Sequence, residues 1–142
     1  MLTGLLLLSV FPGCKSPQTK HSDDSAHRSR TVAEFIDEIP PAQTTKYAGI
    51  VSNWPNPSLI VSHEGVWIVL SNAPARRVPP KDVIPILLDS SKSDWPYGRV
   101  VWLSQVGVVA SKSDAVENRR ATVELQHDLE AVGIKVELIP SA

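Results

Sequence analysis

The stretch DAVENRRATVELQHDLEAVGIKVELI, residues 114–139, decides the fold. Ala115, Thr122, Leu125, Leu129 and Val132 recur at helical spacing and form one apolar stripe, which predicts an amphipathic helix over Asp114–Val132. Ser113 or Asp114 is placed to cap its start. Gly133 stands where the end of a helix turns left-handed. Beyond it the apolar period drops to two. Ile134, Val136 and Leu138 alternate with Lys135 and Glu137, which predicts a strand through Ile139 with one apolar and one charged side.

Working outward, RVVWLS at Arg99–Ser104 reads as a buried strand that Val106, Val108 and Val109 can extend. A strand, a helix and a further strand in this order predict a right-handed parallel crossover. Ser58–Val61 and Val66–Leu70 are β-rich runs separated by Ser62-His63-Glu64-Gly65, which predicts an antiparallel hairpin with Gly65 in the turn. Asn72–Pro80, with three prolines and the Arg76-Arg77 pair, reads as a loop. Asp82 is the expected cap of a short helix to about Ser90, with Pro85 in its first turn. Ser91–Gly98 is a turn region. The order β-β-α-β-α-β predicts an α/β (α+β) fold: a small mixed sheet with both helices packed on one face.

Residues 46–142 form the expected globular domain, and residues 14–45 a polar tether. Lys15–Arg30 has no large apolar residue and cannot bury enough surface to offset the entropy of ordering. Within residues 31–39, Thr31 and Glu34 have capping-box spacing, and Val32, Phe35, Ile36 and Ile39 share one face. A short helix there either docks on the domain or waits for a partner, and periodicity alone does not separate the two. Pro40-Pro41 ends it.

The chain opens with an apolar run, MLTGLLLLSVFPG, that ends at Cys14, its sole cysteine. The run is too short to span a bilayer, which takes about 20 residues, and suits the core of a secretory signal. Together with Gly13 and the polar residues after Cys14, it resembles a bacterial lipoprotein signal peptide. That resemblance implies cleavage after residue 13, lipidation of Cys14, export and anchoring to the bacterial cell membrane or outer membrane. A lipidated Cys14 would leave the domain with no thiol, and so with no disulfide, thiolate metal site or cysteine nucleophile.

Three segments carry a second resemblance: SLIVSHEGVWIVLSN (58–72), VPPKDVIPILLD (78–89) and LQHDLEAVGIKVELI (125–139). They are similar to the opening hairpin, first helix and closing helix–Gly–strand of the periplasmic domain of the ExbD/TolR family of biopolymer transport proteins. The likeness implies a small dimerising or adaptor module outside the cytoplasmic membrane. It does not imply the proton-driven work of that family, because the N-terminal apolar run has no acidic residue and ends in a cysteine.

Charge and motifs narrow the remaining classes. A net charge of −1 gives no global attraction to nucleic acid. There is no H-x-x-x-H, H-E-x-x-H or cysteine pair for a metal, no G-x-S-x-G elbow and no glycine-rich phosphate loop, so no cofactor is expected. His63 with Glu64, His127 with Asp128, and Ser62, Ser71 or Ser104 would have to meet in one cleft to make a hydrolase. The better candidates for binding are the two Trp-Pro turns, Asn53-Trp54-Pro55 and Asp94-Trp95-Pro96-Tyr97, whose rings either suit a sugar or a protein interface or fold down over the edge of the core. Arg76 and Arg77, with Arg99, Arg119 and Arg120, are the candidates for an anion patch. The expectation is a non-enzymatic binding or adaptor module whose partner is an envelope protein or a second copy, meeting it at an exposed sheet edge. The alternative is a small envelope hydrolase or glycan-binding module.

Overall fold

A computed structural model of the protein describes residues 28–140. The signal-like run, Cys14 and the tether as far as residue 27 lie outside the described residues.

Five strands form one mixed sheet in the order β3-β2-β1-β4-β5. The hairpin is β1 (Ser58–Ser62) and β2 (Gly65–Leu70), joined by His63-Glu64. Gly65 has φ +135°, and a Cβ there would lie 2.7 Å from the carbonyl oxygen of Val78, so the turn needs glycine for both conformation and space. β4 (Val100–Gln105) lies parallel to β1, and β5 (Lys135–Leu138) lies parallel to β4. The fold is the expected mixed sheet with helices on one side.

The fifth strand is the main correction. Residues 73–78, expected as loop, form β3 and pair antiparallel with β2. Prolines forbid only the central positions of a sheet. At an edge the missing N–H of Pro74 has no ladder bond to lose, and β3 is an edge strand. The run after β4 is corrected in the other direction. β4 ends at Gln105, and Val108 is 88 % exposed on the way to the next helix.

α3 (Pro80–Asp89) starts earlier than expected, with Pro79 as its cap and Pro80 at its first position, where proline is favoured. Pro85 is therefore inside the helix and leaves the carbonyl of Lys81 without its helical donor. α4 (Lys112–Ala131) is capped by Ser111, whose Oγ accepts the Asp114 N–H at 3.1 Å. It ends at Gly133, φ +79°, with Gly133 N–H donating to Glu130 and Ile134 N–H to Leu129. That double bond satisfies the last carbonyls and turns the chain into β5.

Leu59, Val61, Val66, Ile68, Val101 and Leu103 point from the sheet into the core, where Val83, Leu87, Leu125 and Leu129 of α3 and α4 meet them. α1 (Val32–Glu38) closes this layer. Its capping box is complete: the Glu34 N–H donates to Thr31 Oγ1, and the Thr31 N–H donates to Glu34 Oε2. Phe35 and Ile39 are fully buried in the same core, so α1 docks on the domain, one of the two readings its period left open. Arg99 fastens it. Its guanidinium donates to the carbonyls of Ile36, Ile39 and Gly133, tying the end of α1 to the end of α4.

Candidate functional site

Alternation along the strands gives the sheet a second face, with no helix layer like that of α3 and α4. Ile60 of β1, Trp67 and Val69 of β2, Val100, Trp102 and Ser104 of β4, and Lys135 and Glu137 of β5 lie on it. One corner of this face is roofed by the segment between α1 and β1, which includes α2 (Thr44–Tyr47). Trp54 lies flat on Trp102, with centroids 4.5 Å apart and planes at 9°. Tyr47 meets Trp54 edge-on at 5.4 Å, and Tyr97 packs against both Tyr47 and Trp54.

Buried Asn56 holds this roof in place. Its Nδ2 donates to the carbonyls of Gly98 and Val100 at 2.7 and 2.8 Å, and its Oδ1 accepts the Tyr97 N–H at 2.9 Å. One side chain thus joins the Trp54 loop, the Tyr97 turn and the start of β4. Asn53, at φ 53°, supplies the left-handed bend before Trp54, a conformation that asparagine tolerates better than most residues.

Between this roof and β5 runs an open groove of 600 Å³, lined among others by Tyr47, Ile50, Val51, Trp102, Leu138 and Ile139. The polar side chains of Tyr47 and Glu137 sit at its wall, with Lys135 bonded to both. Lys135 Nζ is 2.7 Å from Glu137 Oε1, and the Tyr47 hydroxyl donates to the same oxygen at 3.1 Å. Lys135 Nζ also donates to the Tyr47 oxygen at 3.3 Å. The hydrogen bond from Lys135 holds the Glu137 carboxyl below its ordinary range, and its bond to Glu137 raises the Lys135 ammonium. Burial raises the Tyr47 phenol. All three shifts run away from neutrality. The arrangement is a polar rim on an aromatic groove.

The residues singled out in the sequence are dispersed. Trp54 and Tyr97 belong to this cluster. Trp95 is 3 % exposed in the opposite layer, edge-on to Phe35 at 5.2 Å, with its Nε1 donating to Ser90 Oγ at 2.8 Å. The two tryptophans of the Trp-Pro turns therefore lie on opposite sides of the sheet, and no single surface presents both rings. Arg76 and Arg77 also point to opposite faces. Arg77 pairs with Glu64 and lies over Trp67, 5.8 Å from the ring centre. Arg76 pairs across from Ile68 and lines a shallow hollow with Pro85 and Asp89 of α3. Arg99 is spent on helix carbonyls, and Arg120 pairs with Glu124. No joint anion patch forms among them.

The histidines do not meet. His63 lies in the hairpin turn, in a depression shared with Ser62, Glu64 and Glu117. His127 is on an exposed part of α4, about 15 Å along the helix from Glu117. The Ser62 hydroxyl donates to the Gly65 carbonyl instead of to a histidine. Among the described residues no cluster of three or more His, Cys, Asp or Glu is placed to hold a metal, and no helix is long and apolar enough to cross a membrane.

Tyr47, Trp102, Lys135 and Glu137 were not singled out by sequence. Their one signal was the charged alternation Lys135/Glu137 on the last strand. No family model, curated protein or solved structure matches the chain.

Proposed function

We propose that this protein is a non-enzymatic binding or adaptor module, carried on a bacterial envelope membrane by a lipid on Cys14, with the groove beside Trp102 as its contact with an envelope partner. One observation carries the reading: the sheet face opposite α3 and α4 keeps an open aromatic groove with Tyr47, Trp102 and Glu137 at its wall. Val51, 89 % exposed at the groove's margin, and Trp67, 39 % exposed on the same sheet face, supply apolar contact area of the kind that interfaces use. The partner fitting this chemistry is an apolar segment with a polar group able to meet Lys135 or Glu137. The likeness of three segments to the periplasmic ExbD/TolR domain supports an adaptor role outside the cytoplasmic membrane, and the run ending at Cys14 supports the anchor.

Two measurements test it. A photo-crosslinking side chain at Val51 in the native host is expected to give one discrete adduct with an envelope protein, and Trp102→Ala is expected to abolish it. Adducts that persist in that variant would remove the groove from the proposal. Fractionation of Cys14→Ser tests the address: the variant is expected in the soluble fraction, and membrane retention would end the lipid-anchor reading.

A further inference from the structure

The sheet has two edges, and they are built differently. β3 carries Pro74 and the Arg76-Arg77 pair, and its register with β2 shifts between Ile68 and Leu70. Proline, charge and irregularity are the usual guards against unwanted strand pairing. β5 has neither proline nor register shift, and its two charges, Lys135 and Glu137, are of opposite sign. Its sequence is Lys135-Val136-Glu137-Leu138. Lys135 and Ile139 donate their N–H groups inward, to Arg99 just before β4 and to Leu103 within it, so alternation turns the N–H and C=O of Val136 and Leu138 outward. Among the described residues no backbone group meets them. Leu138 is also 59 % exposed.

We propose that this edge pairs antiparallel with the same edge of a second copy, about a two-fold axis at Val136. The charges select both occupant and register. In an antiparallel pair centred on Val136, Lys135 of each copy stands directly opposite Glu137 of the other, on the same face. Both cross-strand pairs are then of opposite sign, the favourable arrangement. A parallel, in-register pairing sets lysine against lysine and glutamate against glutamate. Moving the antiparallel axis to Leu138 sets Glu137 against Ile139 and forms neither charge pair. The Val136 N–H and C=O exchange bonds with their own counterparts, and the Leu138 N–H meets the Ile134 carbonyl of the other copy. Pro140, which has no donor, lies just past this ladder. The two five-stranded sheets become one continuous sheet, with the two Trp102 grooves flanking the axis. The inference depends neither on the lipid anchor nor on a ligand in the groove.

Sedimentation equilibrium of the full chain in mild detergent tests it through charge reversal. The wild-type chain is expected to be a dimer. K135E and E137K each convert both cross-strand pairs to like charges, and each is expected to weaken self-association at least about tenfold, a change of about 1.4 kcal/mol. An equimolar mixture of the two variants restores opposite signs across the axis and is expected to dimerise again. That recovery also shows that both variants are folded. Cysteine substitution checks the register. V136C places two thiols on Cα atoms about 5.5 Å apart, within disulfide reach. L138C leaves them about 13 Å apart, out of reach. Only the first is expected to form a linked dimer beyond the level of the wild-type chain, whose Cys14 is the control. A monomeric wild-type chain at every concentration, a dimer indifferent to both reversals, or a mixture that stays monomeric would overturn the proposal. So would a monomer whose β5 edge is occupied by a strand of another protein. The crosslinking result at Val51 is read separately, so loss of one proposal leaves the other standing.

Discussion

The indole of Trp54 lies parallel to that of Trp102, 4.5 Å away, with a loop residue covering a strand residue on the side of the sheet opposite α3 and α4. This contact does for one corner of that face what α3 and α4 do for the other layer. It excludes water from Trp102 without burying it completely. Trp54→Ala removes the stack and is expected to cost about 2–3 kcal/mol, read as a lower urea midpoint. Trp54→Phe should keep most of the stability. Near-ultraviolet circular dichroism should lose the same band in Trp54→Ala and Trp102→Ala, and keep it in Trp67→Ala.

Asn56 makes three buried hydrogen bonds with one amide. Asn56→Ala leaves two carbonyls and an N–H without partners and is expected to cost about 2–4 kcal/mol. Asn56→Asp should fare no better, because a carboxylate accepts from Tyr97 but has nothing to donate to Gly98 and Val100. Chemical denaturation of the two variants checks this. An aspartate variant of wild-type stability would refute the donor argument.

The sequence showed most of the sheet and little of the site, for a physical reason. β5 and α4 were legible because their side chains sort into apolar and polar faces at fixed periods, and Gly133 marks the join. β3 was not, because Ala73–Val78 is an edge whose side chains, up to Val78, all face solvent. Such a strand carries no burial pattern, and Pro74 with the prolines just after it reads as loop. The groove was hidden for a related reason. It assembles Tyr47, Trp102 and Glu137 from parts of the chain 35 or more residues apart, and no local spacing encodes that meeting. Trp95 stayed open in the sequence because a Trp-Pro turn looks the same whether its ring folds inward, as it does onto Phe35, or outward.

The Tyr47–Glu137–Lys135 group fixes how stability should vary with pH. Glu137 has a lowered pKa in the fold, so its contribution is present above the unfolded carboxylate range and fades as pH falls through the folded value. Lys135 and Tyr47 have raised values, so their contributions are complete below the unfolded values of 10.5 and 10.0 and fade as pH rises through the folded ones. Thermal unfolding followed against pH should show both limbs, and Glu137→Gln should flatten the acid one. The chain has two tyrosines. In Tyr97→Phe the remaining phenol is Tyr47, and its absorbance titration should lie above pH 10.0. A titration at or below that value would contradict the burial argument.

Two glycines offer a paired test of space against conformation. Both Gly49 and Gly98 have positive φ, at +83° and +77°. A Cβ at Gly49 meets nothing within 4 Å, whereas one at Gly98 would sit 2.2 Å from the carbonyl oxygen of Pro41 and 2.7 Å from that of Pro40. Gly49→Ala should therefore cost only the left-handed penalty, about 1–2 kcal/mol. Gly98→Ala should cost about 3 kcal/mol or more, because backbone has to move. Equal losses in the two variants would show that the Pro40-Pro41 segment yields freely.

That segment has a mechanical consequence. The chain enters the packed body at Arg30, whose N–H donates to Asp89 of α3. It is then fastened by Phe35 in the core, by Arg99 on the carbonyls of Ile36 and Ile39, and by Arg99 N–H on Pro40. Tension arriving from the N-terminal side loads these contacts in series, before any strand of the sheet is stretched. Phe35 lies edge-on against Trp95, so displacing α1 would bare that indole while the ladder contacts among the five strands stay as they are.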